Sequence, residues 1–169
     1  MPDIAIRLFL PTETHLYRQL RLRALADAPY AFGTTLAEAQ TRSDSEWQNR
    51  FSQSLASDLE LPLLGLVDAH PAGLAWGHID PAIPFVAHLF QMWVEPHYRR
   101  LQLGKQLVDA VVHWAETHAV TYVELDVSVG NSAAQSLYQR CGFLKWGDPH
   151  PLRPGMTLMS QTMRYPFSK

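Results

Sequence analysis

The stretch from Val86 to Ala115 constrains the fold more than any other, because its hydrophobic period changes within it. Val86 to Val94 is an almost unbroken apolar run that reads as a strand, and Pro96 ends it. Leu103, Leu107, Ala110, Val111, Trp114 and Ala115 then recur at helical spacing over about four turns. Only a short basic turn containing Arg99, Arg100 and Gln102 separates the two periods. A buried strand that passes directly into an amphipathic helix belongs in an α/β architecture, with the helix lying back across its sheet.

The rest of the chain extends this pattern. Ile4, Ile6 and Leu8 alternate with their neighbours as in a first strand. Thr12 is the expected cap of a helix through Leu16, Tyr17, Leu20 and Ala24 that stops before Pro29. A second cap near Ser43 to Glu46 precedes Trp47, Phe51 and Leu55. Leu61–Val67 and Leu74–Ile79 read as a hairpin joined by the turn-forming stretch Asp68 to Gly73. Val123, Leu125 and Val127 alternate with Glu124, Asp126 and Ser128, a strand with one polar face. Asn131 opens a helix whose stripe is Ala134, Leu137, Tyr138 and Cys141, and Gly142 stands where a left-handed cap is wanted. Phe143–Trp146 and Met156–Tyr165 are expected as final strands. The order predicts a single domain over residues 1–169: an α/β fold with a mixed, largely antiparallel central sheet flanked by helices. It lacks the strict alternation of a Rossmann domain.

Composition excludes several functions. Net charge is −2 at pH 7, so no global basic field argues for nucleic acid. Arg18, Arg21 and Arg23 cluster locally and read as the solvated face of a helix. The single cysteine, Cys141, permits neither an internal disulfide nor a thiolate metal cluster, and the scattered histidines show no metal spacing, so no metal is expected. No apolar run approaches the ~18 residues of a membrane span, and Met1–Leu10 lacks the character of a signal peptide. These features predict a soluble cytoplasmic protein without a membrane or nucleic-acid partner.

The chemistry concentrates between Met92 and Lys105. A helix start near Leu103 offers unpaired N–H groups and a positive dipole end. With Arg99, Arg100 and Lys105 beside it, and Gly104 allowing close backbone approach, the turn can cradle a pyrophosphate. On residues alone, the two arginines also fit ordinary surface positions in a loop.

A second segment supplies context: Gly130-Asn131-Ser-Ala-Ala-Gln-Ser-Leu-Tyr138-Gln-Arg-Cys-Gly-Phe143. This and the Val94-x-Pro96-x-x-Arg99 turn, in this order, resemble the two motifs of the GNAT acetyltransferase superfamily, particularly bacterial members of unassigned substrate. The motif likeness covers about Leu89 to Phe143 and the architectural likeness about Ile4 to Tyr165. One departure stands in the phosphate turn, where Gln102 replaces the family's first glycine. If that position needs positive φ, glutamine is strained there by about 1 kcal/mol.

The resemblance implies an acetyltransferase in which an amine attacks the thioester of acetyl-CoA directly, without a covalent enzyme intermediate. It assigns the pantetheine arm to backbone groups of Met92, Trp93 and Val94, and the pyrophosphate to Arg99, Arg100, Gln102, Leu103, Gly104 and Lys105. A backbone N–H of the first group would meet the negative charge developing on the thioester oxygen. Tyr138 occupies the place of the general acid for the departing thiolate, and its position on the apolar stripe also fits a core tyrosine. Asn131 serves as helix cap, with or without a hydrogen bond to the pantetheine. An ammonium acceptor must lose a proton before attack. Asp126, Glu124 and His88 are the candidate bases, with His78 and Glu38 weaker and a water relay the alternative. Related protein N-terminal acetyltransferases place a carboxylate where Asp126 stands, although an exposed pairing residue would look the same.

The resemblance also implies a homodimer. The acceptor, a primary amine of a small molecule or peptide, is not named by the sequence. Its choice is expected to rest on the N-terminal helices and on the loops near Pro81–Phe85 and Asp148–Gly155, with Tyr30, Phe32 and Trp47 as pocket or core aromatics. The rival readings are a catalytically silent acyl-CoA-binding regulatory module and a nucleotide-binding protein. The second lacks both a P-loop and a GxGxxG after the first strand.

Overall fold

The computed structural model describes residues 1–168. In chain order the elements are β1 (Ile4–Leu8), α1 (Thr14–Asp27), α2 (Leu36–Gln40), α3 (Asp44–Ala56), β2 (Glu60–Val67), β3 (His70–His78) and β4 (Val86–Val94). There follow a 3₁₀ turn (Pro96–Tyr98), α4 (Leu103–Thr117), β5 (Tyr122–Ser128), α5 (Ser132–Arg140), β6 (Leu144–Lys145), β7 (His150–Pro151) and β8 (Met159–Pro166). The strands form an eight-stranded sheet ordered β1-β2-β3-β4-β5-β8-β6, with β7 also on β8. Every pairing is antiparallel except β4 with β5.

Strand alternation divides the core between the two faces. Leu64, Leu74, Trp76 and Trp93 turn toward α1–α3 and pack with Phe9, Tyr17, Trp47 and Phe51. Leu63, Ala75, Leu89, Leu125 and Val127 turn the other way, against Leu103, Leu107, Val108 and Val111 of α4 and Tyr138 of α5. Gly73 lets β3 and the end of β4 approach closely beneath the start of α4. A Cβ there would lie 2.6 Å from the Trp93 carbonyl oxygen and 3.5 Å from the Leu103 side chain.

Local chemistry explains most boundaries and corrects some expectations. Ser43 and Glu46 form a reciprocal capping box at α3, and Thr35 and Glu38 form another at α2, a short helix with too few residues to show a period in the sequence. Thr12 does not cap α1. The cap position is Glu13, whose carboxylate instead accepts from the Leu10 amide at 2.7 Å and from both Arg7 terminal nitrogens. The hairpin loop is tighter than the six-residue linker expected. Only Asp68 (φ 47°) and Ala69 (φ 65°) turn the chain, and Asp68 is tied to Asp3 by hydrogen bonds in both directions. After α5, Gly142 takes φ 101°, the Gly142 amide donates to the Gln139 carbonyl, and the Phe143 amide donates to the Tyr138 carbonyl, closing a Schellman cap. The expected strand from Met156 begins only at Met159, and β7 is an addition too short for alternation to mark.

Two irregularities open the sheet at its centre. β4 and β5 pair only over Val86–His88 and Tyr122–Glu124, so from Leu89 onward this edge of β4 has no strand partner. Just beyond, the β3–β4 register shifts between Leu74 and Trp76, and Gln91 adopts φ 52°, a bulge that bends β4 further. The Gln91 side chain is held by the Tyr17 hydroxyl, which donates to its Oε1 at 2.8 Å.

Candidate active site

Two cavities of about 400 and 430 Å³ flank the opening between β4 and β5. They share Ala31, Phe32, Met92, Asn131, Ala134 and Tyr138 as lining, so they meet around Tyr138.

The larger cavity runs along the basic turn. Met92, Trp93, Val94, Arg99, Arg100, Gln102, Gly104, Lys105 and Asn131 all line it. Leu103 does not: its side chain is 1% exposed in the core under Gly65 and Gly73, which leaves only its backbone near the turn. The turn is wound by two left-handed residues, Arg100 at φ 66° and Gln102 at φ 70°. Gln102 therefore does occupy a conformation that favours glycine, and it sits at the cap of α4 without a side-chain capping bond.

The cations of the turn are unequal. Arg99 is already engaged: its Nε donates to the Val94 carbonyl at 2.9 Å and its Nη2 to Asp27 at 2.7 Å. Asp27 also accepts from the Trp93 indole at 2.9 Å, and these two donors hold its carboxyl below the usual range. Arg99 thus braces the end of α1 against β4. Lys105 pairs with Asp109 one turn along α4, at 2.5 Å. Arg100 makes no ion pair among the described residues. Arg140, in the last turn of α5, also lines the cavity. No local pattern singles out Arg140, because its approach to the turn depends on how α5 lies beside α4.

The smaller cavity is bounded by the diverging strands, His88–Met92 on one side and Glu124–Ser128 on the other, and by His150 and Leu152 of the β7 region. All three main candidate bases therefore face it, in different states. Glu124 is bound to Arg164 at 2.7 Å. Asp126 is about half exposed, accepts from the Thr162 hydroxyl at 2.6 Å and lies 3.7 Å from His150 Nε2. His88 stands at the last register position before the strands part, opposite Glu124. His78 pairs with Glu60 and Glu38 belongs to the α2 capping box, and neither lines the cavity. Among the described residues no group of three or more His, Cys, Asp or Glu could hold a metal.

Asn131 caps α5, its Oδ1 accepting from the Ala134 amide at 3.1 Å, while also lining both cavities. Tyr138 is 8% exposed, and burial raises its phenol well above the ordinary value. The group is therefore protonated at neutral pH. The aromatic residues of the N-terminal half part company: Trp47 is core, Tyr30 is exposed, and Phe32 lines both cavities. Pro81–Phe85 reaches neither cavity.

The expectation for the arginines of α1 needs correction. Arg18 bridges to Asp44 and Arg23 to Glu95, but Arg21 is only 6% exposed and lines the smaller cavity. The three residues occupy different angular positions on one helix: Arg18 meets Asp44 and the Trp47 ring of α3, while Arg21 lies under the Phe32 ring.

The model of the acetyltransferase (GNAT) family matches residues 21–143, most of the chain and the whole of the basic turn with its cavity. The protein belongs to the GNAT acetyltransferase family. Curated relatives include the mycothiol acetyltransferase of Salinispora arenicola, 29% identical over 147 residues, which span 85% of this chain and 45% of that protein. The aminoglycoside N(6')-acetyltransferase type 1 of Klebsiella aerogenes is 31% identical over 107 residues, 58% of this chain and 70% of its own. The chain thus spans about half the length of the mycothiol acetyltransferases it matches. Among solved structures, a GNAT acetyltransferase of Streptococcus pneumoniae superposes with a TM-score of 0.80 at 21% identity, covering 98% of this chain and 100% of that one. The yncA protein of Salmonella typhimurium, solved with its cofactor acetyl-CoA, gives 0.81 at 13% identity, covering 99% and 95%. These two establish a shared fold: a GNAT sheet, mixed and largely antiparallel, flanked by helices.

Proposed function

We propose that this GNAT protein transfers the acetyl group of acetyl-CoA to the primary amine of a small acceptor, using the two cavities as its two substrate sites. The carrying observation is their meeting at Tyr138, one cavity bordered by the basic turn and the other by candidate bases. The larger cavity fits a pantetheine and pyrophosphate in its donor set. It offers a β4 edge without a strand partner, a helix start at Leu103, and Arg100, Lys105 and Arg140 as cations.

Acetyl-CoA brings the activated thioester, and the rest falls to side chains and backbone of this chain. The unpaired edge of β4 near Met92 to Val94 supplies N–H donors for the thioester oxygen. The amine nitrogen forms its bond to the acetyl carbon as the carbon–sulfur bond breaks, and Tyr138 Oη delivers a proton to the departing sulfur. Its raised pKa makes the phenol a constant donor and a weak acid, so its proton moves only as charge accumulates on sulfur. The ammonium loses two protons over the reaction. One replaces that of Tyr138, and the other leaves through Asp126 and its neighbour His150 to solvent. A cytoplasmic homodimer completes the reading, with the mass in solution as its measure.

Titration of acetyl-CoA by calorimetry, beside ATP and NAD, tests the cofactor site, and thiol release with an amine panel tests turnover. Saturable binding of acetyl-CoA alone, followed by amine-dependent thiol release, is expected. No binding at millimolar concentration would refute the cofactor site, and binding without turnover on any amine would leave a silent acyl-CoA-binding module.

A further inference from the structure

Arg21 is a buried cation without a counter-ion among the described residues. It projects from α1 into the wall of the smaller cavity. Its Nη1 is enclosed and has no hydrogen-bond partner, and no carboxylate forms a salt bridge with it among the described residues. One face of the guanidinium is covered by the Phe32 ring, 4.7 Å from its centroid. The titratable groups that act on it are the Tyr17 phenol and Arg42, neither of them a carboxylate, and burial lowers its pKa to about 10. It remains charged at neutral pH. A desolvated charge is retained in a protein when something pairs with it, and no carboxylate among the described residues does.

The cavity around it is built and polarised. The loop bearing Phe32 and Gly33 is fixed from above by Arg153, whose guanidinium donates to the carbonyls of Pro29 (3.2 Å), Phe32 (2.8 Å) and Gly33 (2.7 Å). Ser128 at the end of β5 donates to the Tyr30 carbonyl. Arg153 thus spends its donors on backbone carbonyls and the Met156 sulfur, which leaves Arg21 as the arginine lining the void. The β5 wall carries Asp126 and Glu124. One wall therefore suits an anion and the other an ammonium.

We infer that the acceptor is a small amino acid-like molecule, its carboxylate bound by Arg21 and its amine directed to the β5 wall beside Tyr138. The assignment rests on the acetyl-transfer reading above and adds the chemical class of the acceptor. A guanidinium fork donates two parallel hydrogen bonds to a carboxylate, and the acceptor then provides the counter-ion that the described residues do not.

The test compares matched probes: glycine, β-alanine, 4-aminobutyrate and the L-α-amino acids, each beside its primary amide, by thiol release with acetyl-CoA. The wild type is expected to favour at least one carboxylate probe over its amide by tenfold or more in kcat/KM. Arg21→Met, of similar length and without charge, should abolish that preference, leave acetyl-CoA binding within twofold, and melt at the same temperature or higher. Amides used as well as or better than their acids, or a preference surviving in Arg21→Met, would overturn the assignment while leaving acetyl transfer standing. So would a variant that melts lower and loses both probe classes alike, since Arg21 would then be a packing residue. If no probe is acetylated, melting temperatures with acetyl-CoA present decide. A rise with the carboxylates in wild type alone supports the site, and no rise refutes it. Failure to bind acetyl-CoA at all would instead strike the acetyl-transfer reading.

Discussion

Replacing Gln102 by glycine should stabilise this protein without strengthening its cofactor site. Gln102 caps α4 at φ 70° and ψ 3°, with no side-chain hydrogen bond to offset the conformation. A non-glycine residue in the left-handed region costs about 1–2 kcal/mol from the approach of Cβ to the following carbonyl oxygen. Glycine removes that cost, but it gives the unfolded chain extra freedom worth about 0.4–1 kcal/mol. The net gain is about 0.5–1 kcal/mol. In a protein of 169 residues, each kcal/mol moves the melting temperature by about 2–4 °C, so Gln102→Gly should melt about 1–4 °C higher. Differential scanning calorimetry of wild type, Gln102→Gly and Gln102→Ala reads this directly. Alanine retains the Cβ and should gain nothing, which separates backbone strain from loss of the glutamine side chain. The acetyl-CoA dissociation constant of Gln102→Gly should stay within twofold, because the turn already has its glycine-like shape. An unchanged or lower melting temperature in Gln102→Gly, or an equal rise in Gln102→Ala, would refute the strain argument. Loss of affinity beyond tenfold would show that the glutamine side chain itself holds the cofactor.

Two further outcomes follow from the site. Tyr138→Phe should lower turnover at least tenfold with little change in acetyl-CoA binding, since it removes a donor but keeps the ring in the core; unchanged steady-state turnover would remove Tyr138 from the acid role. Asp27 has a carboxyl pKa lowered chiefly by the Trp93 indole and then by Arg99, so the folded state holds its proton less tightly than the unfolded state. Its contribution to stability is therefore present above the unfolded value of about 4 and is lost as pH falls through the lower folded value. Melting curves from pH 6 to 3 should show a smaller acid-induced fall for Asp27→Asn than for wild type, and equal falls would exclude the linkage.

The frame of this protein is legible in its residues alone. Local rules were enough wherever a residue's role depends on its own backbone or its near neighbours. The apolar run to Val94, the stripe of α4, the Ser43–Glu46 box, the Asn131 cap and Gly142 all belong to that kind. The two motif segments were legible for the same reason, since a phosphate turn and a helix cap are contiguous in the chain. Elements too short to show a period, α2 and β7, were not legible.

Tertiary structure alone decided which charges are free. Arg99 and Arg100 are neighbours in the turn, yet Arg99 is spent on Asp27 and Val94 because α1 ends beside β4, while Arg100 has no ion-pair partner among the described residues. Arg18, Arg21 and Arg23 look alike on one helix, but the middle one is buried at a cavity wall with the Phe32 ring over its guanidinium. The parting of β4 from β5 after three register positions, which creates both cavities, is likewise absent from either strand's sequence. Burial and pairing depend on residues distant in the chain, and hydrophobic period carries no record of them.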